Sequence, residues 1–319
     1  MILSVSRRTD IPNYYAQWFI NRVKEGFVYV KNPMNEHQVS KIPINPEIVD
    51  CIVFWTKNPE GMMQYLDELK EYMYYFQFTL TGYGRDIERN VPDKKKVMIP
   101  RFQELSRKIG KERVIWRYDP IFFNEKYTEE YHLMAFEQIA EKLCGYTSKC
   151  VISFVDMYQK NKSFLNQNGF LQKSDDQLRS FAAKLNEIAK KYGMKVASCS
   201  ERIDLKSVGI EHNCCIDKET IEKLIGYSIT GKKDKNQRLE CGCIESVEIG
   251  RYNTCKNGCK YCYATYDETS VINNCKKYDA SSPILCGSIC EGDKITERKI
   301  KSLKKEQLTL EDWFITAQS

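Results

Sequence analysis

The sequence predicts an α/β protein: a partial or permuted TIM-type β/α barrel followed by a C-terminal cysteine-rich, cluster-binding region. Three observations carry that expectation. Short runs of β-branched and aromatic residues alternate with amphipathic segments of helical period, the pattern of repeated βα units around a parallel sheet. Each run ends in polar residues, as strand-to-helix loops do where they converge on a ligand. After residue 205 the alternation fades, and Gly, Cys, Asn and Lys dominate through Cys290. The expected organisation is a barrel core over residues 1–205 and a cluster region over 206–319, packed on the barrel or completing it.

Taken in order, the expected strands are Ile2 to Ser6, Ile52 to Thr56, Tyr75 to Thr79, Val114 to Tyr118, Val151 to Val155 and Lys195 to Ser198. Helices are expected near residues 14–25, 60–73, 98–109, 128–144 and 174–192. The last has the clearest grammar: Ser174 and Gln177 form a capping-box pattern, Leu178, Phe181, Ala182, Leu185, Ile188 and Ala189 make one apolar stripe, and Gly193 stops the helix. If residues 245–250 form a further strand docked beside the first, the barrel is circularly permuted. The Met1 end and Arg251 are then neighbours.

The strand ends supply the candidate site. The first gives Ser6, Arg7, Arg8, Thr9 and Asp10, the second Thr56, Lys57 and Asn58, and the third Thr79 and Thr81. The fourth gives Arg117 and Asp119, the fifth Ser153, Asp156 and Tyr158, and the sixth Cys199, Ser200 and Glu201. Any one of these could cap a helix, but their coincidence at one end of the strands points to a shared cavity.

Composition narrows the class. A hydrophobic share of 42%, with 20 Tyr and 14 Phe, suits a folded core. No apolar stretch reaches bilayer length and the N-terminus lacks a signal-peptide pattern, so the expectation is a cytoplasmic protein without membrane association. In that compartment the 14 Cys read as metal ligands and buried thiols rather than disulfides. A net charge of +6 with scattered lysines, including Lys94-Lys95-Lys96, is compatible with nucleic-acid binding but does not favour it. His37, His132 and His212 show no metal-site spacing. No GxGxxG or Walker pattern is present.

Cys255, Cys259 and Cys262, in YNTCKNGCKYCYA, stand at CxxxCxxC spacing. Soft thiolates at this spacing can wrap one corner of a [4Fe-4S] cluster and leave an iron open, whereas structural zinc usually takes four closed ligands. Zinc stays open as an alternative, because Cys259 and Cys262 alone form a CxxC knuckle. A second set, Cys199, Cys215, Cys241 and Cys243, is expected to hold a second [4Fe-4S] cluster or zinc, or to remain as ordinary thiols. Cys51, Cys144 and Cys150, beside apolar runs, are expected in the core.

Tyr261 and the run Cys262-Tyr263-Ala264 resemble the cluster loop of radical S-adenosylmethionine enzymes, and spore photoproduct lyase has a similar Cys-Tyr-Cys-Tyr turn. In that superfamily the loop lies near the start of the barrel, whereas here most of the chain precedes it. This placement, with SRRTDIP at Ser6 to Pro12, FWTKNP at Phe54 to Pro59, WRYDPI at Trp116 to Ile121 and the GI…CID run at Gly209 to Asp217, resembles a bacterial domain-of-unknown-function family, number 1848. The resemblance implies a [4Fe-4S] cluster, S-adenosylmethionine, its reductive cleavage to start radical chemistry, and an electron donor such as flavodoxin or ferredoxin. It names no substrate; a small or nucleotide-like molecule fits the polar strand ends. Thr56, Lys57, Thr79, Arg117, Ser153 and Glu201 are the candidates for holding the cofactor, and Arg8, Asp10, Asp119 and Asp156 for addressing the substrate. Two other classes stay open: a nucleic-acid-binding or repair protein with a structural cluster, and a zinc- or redox-sensing protein without turnover.

Overall fold

The computed structural model describes residues 1–155, 159–238 and 240–305. Asp156 and Tyr158 lie outside the described residues. The strands that build the sheet are β1 (Ile2–Val5), β4 (Cys51–Thr56), β5 (Tyr74–Thr79), β6 (Val114–Ile121), β7 (Lys149–Phe154), β8 (Lys195–Cys199), β9 (Glu211–Asn213) and β10 (Val247–Glu248). Among the described residues they form one eight-stranded sheet in the order β10-β1-β4-β5-β6-β7-β8-β9, every pair parallel. All six expected strands are present within a few residues of their expected ends.

The sheet is open among the described residues, so the α/β class with a parallel sheet stands, while closure into a barrel, of the partial or permuted kind the sequence suggested, is not seen. Its edge strands β9 and β10 are only three and two residues long, too short to offer each other a ladder of hydrogen bonds. The permutation expectation has a structural counterpart: Leu3 pairs with Val247 and Ser4 with Glu248. Because that pairing is parallel, the end of β1 near Ser6, rather than Met1 itself, adjoins Gly250, and Arg8 Nη1 donates to the Gly250 carbonyl at 3.4 Å.

Strands with both faces covered read as near-continuous apolar runs, and CIVFWT in β4 is buried almost throughout. One face, with Leu3, Phe54, Phe76, Trp116 and Ile152, packs in the main core with α2 (Ala16–Glu25), α4 (Ile99–Ile109), α5 (Glu129–Leu143) and α7 (Asp175–Lys191). The Phe54 and Phe76 rings stack at 4.7 Å, within the range where aromatic pairs add stability beyond their buried area. The opposite face, with Ile2, Val53, Tyr75, Ile115 and Val151, is covered by Cys215, Ile216, Ile221, Ile229, Cys241, Cys243 and Ile244. The cysteine-rich stretch therefore lies across the side of the sheet opposite α2, α4, α5 and α7, with α8 (Lys218–Ile225) inside it.

Helix α7 starts as its sequence demands: Gln177 N–H donates to Ser174 Oγ at 3.3 Å and Ser174 N–H to Gln177 Oε1 at 2.9 Å. The helix expected over 60–73 is instead α3 (Glu60–Met63) followed by a 3₁₀ turn, Leu66–Leu69. There Tyr65 N–H binds Met62 O at 2.9 Å, the tighter i to i+3 pattern. Gly61 lets α3 press on α1 (Ile11–Tyr14), where a Cβ would stand 2.7 Å from Pro12 O. The sequence reading did not anticipate a second sheet, in which β3 (Asn35–Pro43) pairs with β2 (Phe27–Asn32) and with β11 (Lys294–Glu297). Nor did it anticipate α6 (Gln159–Gln167) or α9 (Glu268–Cys275). Cys51 and Cys150 are buried as expected, but Cys144 is exposed, because it follows the last turn of α5 rather than facing the core.

Candidate functional site: two thiol groups at the strand ends

The loop that carries Cys255, Cys259 and Cys262 leaves β10 and runs along the ends of β1, β4 and β5. Backbone N–H groups serve its sulfurs: Ala264 N–H donates to Cys262 Sγ at 3.4 Å, and the Asn257 N–H reaches Cys255. The three thiols lie within electrostatic range of one another, and burial pushes Cys255 well up and Cys259 up to about 12, with Lys57 opposing the latter. Gly258 has φ +64, a conformation that favours glycine at the bend before Cys259.

Two buried carboxylates anchor this loop. Asp10 caps α1 through Asn13 N–H at 3.2 Å and accepts from Thr56 Oγ1 at 2.7 Å, Lys57 N–H at 2.8 Å and Asn257 Nδ2 at 3.0 Å. Burial raises its pKa while those hydrogen bonds hold it down. Asp10, expected to address substrate, and Thr56, expected to hold cofactor, are thus both taken up in joining β1, β4 and the cysteine loop. Glu88 accepts from Lys57 Nζ at 2.7 Å, from Thr81 Oγ1 at 2.8 Å, and from Lys94 and Tyr261. Burial would raise its pKa, but Lys57 and Lys94 hold it below the usual carboxylate range. Lys57 also lies 5.6 Å from the Tyr261 ring and in the field of Cys259.

Glu88, Lys94 and Asn257 were missed by the sequence reading. Lys94 belongs to a lysine run that was weighed for nucleic-acid binding, and its partner Glu88 sits in a loop without regular pattern. The only available signal was the closeness of both to a strand end.

The remaining candidates gather elsewhere. Arg117 pairs with Asp119 and donates to Cys215 Sγ at 3.0 Å and Gln77 Oε1 at 3.4 Å. Cys199 Sγ stands 2.8 Å from Cys215 Sγ, and Cys243 is in contact with both Cys215 and Cys241. The second cysteine set is therefore together, and Arg117 belongs with it, while its partner Asp119 lies in the field of both Cys199 and Lys57. Hydrogen bonding from Cys199 and Cys243, with help from Arg117, favours Cys215 as the thiolate and keeps Cys199 protonated.

Glu201 accepts from Phe154 N–H at 2.7 Å, at the end of β7. Arg8 stacks over Tyr252 at 4.8 Å. Thr79 and Ser153 are partly exposed on β5 and β7. Tyr72, Tyr74 and Tyr75 are buried in the core. His132 is sealed under β6, and the exposed His212 lies on β9. Among the described residues, no three His, Cys, Asp or Glu side chains stand at the spacing of a bound metal ion. No helix there is long and apolar enough to cross a membrane. A cavity of about 1520 Å³, lined by Glu222, Tyr227, Lys301 and Lys304, lies near the starts of the strands, where Tyr227 bonds Asp50, and not at the ends where a shared cavity was expected.

These features define an α/β protein with a parallel sheet that carries two cysteine groups, one on a loop at the strand ends and one across a face. The chain belongs to the family described as Domain of unknown function (DUF1848), whose model matches residues 2–264. No curated protein matches it. Among solved structures, it is similar to a proposed alpha-L-fucosidase from Bacteroides thetaiotaomicron VPI-5482, at 13% identity over 56% of this chain and 72% of that one, with a TM-score of 0.25. At that score the likeness carries no argument about fold or activity.

Proposed function

We propose that the protein is an iron-sulfur enzyme of the radical S-adenosylmethionine type, with Cys255, Cys259 and Cys262 as the ligands of a [4Fe-4S] cluster and the sheet as a permuted, partial barrel. The observation that carries the reading is the cysteine loop itself. It follows directly from the strand that docks on β1, and it brings three thiols into one another's field with backbone N–H groups directed at their sulfurs. N–H groups that point at sulfur suit a thiolate ligand and help set a cluster's potential. When bound, such a cluster with an open iron would supply an electron to cleave S-adenosylmethionine reductively.

The chain's own residues have simpler tasks in this reading. Asp10 and Asn257 fix the loop to β1 and β4. Glu88 holds Tyr261 and Lys57 beside Cys259, which places a cation next to a group that gains negative charge on reduction. Thr79, Ser153 and Arg8 remain at the strand ends for cofactor or substrate. A reductant of the flavodoxin or ferredoxin class and a small or nucleotide-like substrate complete the proposal.

Anaerobic reconstitution tests it. The expected result is about four iron and four sulfide per chain, with deoxyadenosine and methionine formed from S-adenosylmethionine under reduction. Cys255→Ala, Cys259→Ala and Cys262→Ala are each expected to abolish that cleavage. Protein that binds no iron, or three variants that cleave like wild type, would remove the reading.

A further inference from the structure

The four thiols on the far face of the sheet have no part in that chemistry, yet they are assembled from three separate segments. Cys199 closes β8, Cys215 follows β9, and Cys241 and Cys243 come from a loop some twenty-five residues further on. Cys215 is fixed by its carbonyl, which accepts from Tyr75 Oη at 2.8 Å and from Gln77 Nε2 at 2.9 Å. Cys243 Sγ accepts from Ile216 N–H at 3.3 Å. The two cysteine loops are pressed so close at Gly242 that a Cβ there would stand 2.5 Å from Cys214 Sγ. Cys214, adjacent to Cys215, packs its sulfur against Gly242 between Cys241 and Cys243.

Two guanidinium groups flank these sulfurs. Arg117 donates to Cys215 at 3.0 Å. Arg7 lies in the field of Cys243 and Cys215, stacked on Trp55 at 5.0 Å, and its Nη2 is buried without a hydrogen-bond partner. A buried donor left unsatisfied is costly; Arg7 Nη1 stands 4.0 Å from Asp234 and the side chain is in the field of Glu248, but the orphan Nη2 beside the thiols still calls for negative charge. Four thiolates around a divalent ion supply it. Around them Ile216, Ile221, Ile229 and Ile244 form a dry wall.

We propose that Cys199, Cys215, Cys241 and Cys243 form a closed, tetrahedral site for a single thiophilic divalent ion of the zinc class, which fastens both loops to the face of the sheet. The close approach of Cys199 to Cys215 suits one ion better than a cubane. With metal–sulfur bonds of about 2.3 Å, a tetrahedral site holds its sulfurs about 3.8 Å apart, whereas a cubane interposes four irons and four sulfides between its ligands. The 2.8 Å between Cys199 and Cys215 is already shorter than the single-ion distance. Metal entry would spread that pair by about an ångström.

The test uses the full chain carrying Cys255→Ala, Cys259→Ala and Cys262→Ala together, produced with both iron and zinc supplied and purified without oxygen. Because the first loop's thiols are gone, metal found in it reports the second set whatever becomes of the radical-enzyme reading. The expected result is about one zinc per chain, absent after a further Cys199→Ser or Cys241→Ser change. X-ray absorption at the zinc edge of otherwise wild-type protein, which needs no change at the second set, is expected to show four sulfurs at about 2.3 Å. A triple variant that holds neither metal, or that holds iron with sulfide and a broad visible absorption, overturns the proposal.

Discussion

Glu88→Gln tests whether the network beside Cys259 is electrostatic in origin. In the native chain one carboxylate, its side chain fully shielded, neutralises Lys57 at 2.7 Å and Lys94 still closer, with those lysines only 11% and 19% exposed. At an effective dielectric near 20, a contact of this length is worth about 6 kcal/mol gross per pair before desolvation is subtracted. An amide keeps the shape and two acceptor sites but abandons both cations. Their penalty is capped, because a buried lysine can release its proton at about pH 7 for about 5 kcal/mol. Lys94, whose pKa burial already lowers despite Glu88, is expected to give way first. Removing one partner from a buried pair typically costs about 3–5 kcal/mol, and we expect a loss in that range by urea unfolding at about pH 7. The lysines of the variant have folded-state pKa values below their unfolded ones, so the penalty fades as pH rises from neutral toward about 10; it also shrinks below about pH 4.5, where wild-type Glu88, its pKa lowered by the two lysines, loses its own stabilisation. A loss under about 1 kcal/mol, or a deficit that stays flat across that range, would refute the electrostatic account.

Two further outcomes follow from packing and protonation. His132 is fully buried, its ring nitrogens paired with Tyr118 Oη at 2.9 Å and Phe122 O at 3.0 Å, and burial lowers its pKa from 6.5 to about 4. The unfolded chain takes up this proton first, so stability is expected to fall below about pH 6.5 and to have lost about 3 kcal/mol near pH 4. His132→Gln should flatten that part of the pH profile in urea titrations, and an unchanged slope would contradict the assignment. Gly250→Ala should cost about 1–3 kcal/mol, because its Cβ would meet Ser6 Oγ at 1.8 Å and Ser6 Cβ at 2.6 Å. Faster amide exchange at Ile249, which bonds Ser4 O at 3.2 Å, is the specific readout, and native exchange there with an unchanged unfolding midpoint would exclude the predicted clash.

The sheet was legible because its strands are buried on both faces and announce themselves as apolar runs, and α7 because its cap and stripe agree. The hairpin of β2 and β3 was not legible, since the first half of β3, Asn35-Glu36-His37-Gln38, is exposed and polar on both sides of the ladder. Closure of the barrel could not be read either: it depends on edge strands of two and three residues that leave almost no periodic trace. At the site, cysteine spacing pointed to the first loop, and the CGC and CID runs to the second group. The division of labour was hidden. Arg117 and Asp10 look alike as polar strand ends, yet one faces sulfur across the sheet while the other is a helix cap. Glu88 was invisible because its meaning lies in a lysine that composition assigns to the surface.

The short strand Val247–Glu248 completes the flank of Ile2–Val5, a segment synthesised more than two hundred residues earlier. On the ribosome, the inner side of that first strand can find Cys51–Thr56 early, while its outer rim must wait until Val247 and Glu248 have been made. An unpaired rim is a template for illicit pairing with other chains, and contacts so distant in sequence form slowly. Production at lower temperature or with holdase chaperones should therefore raise the recovered yield far more for this chain than shortening its surface loops would.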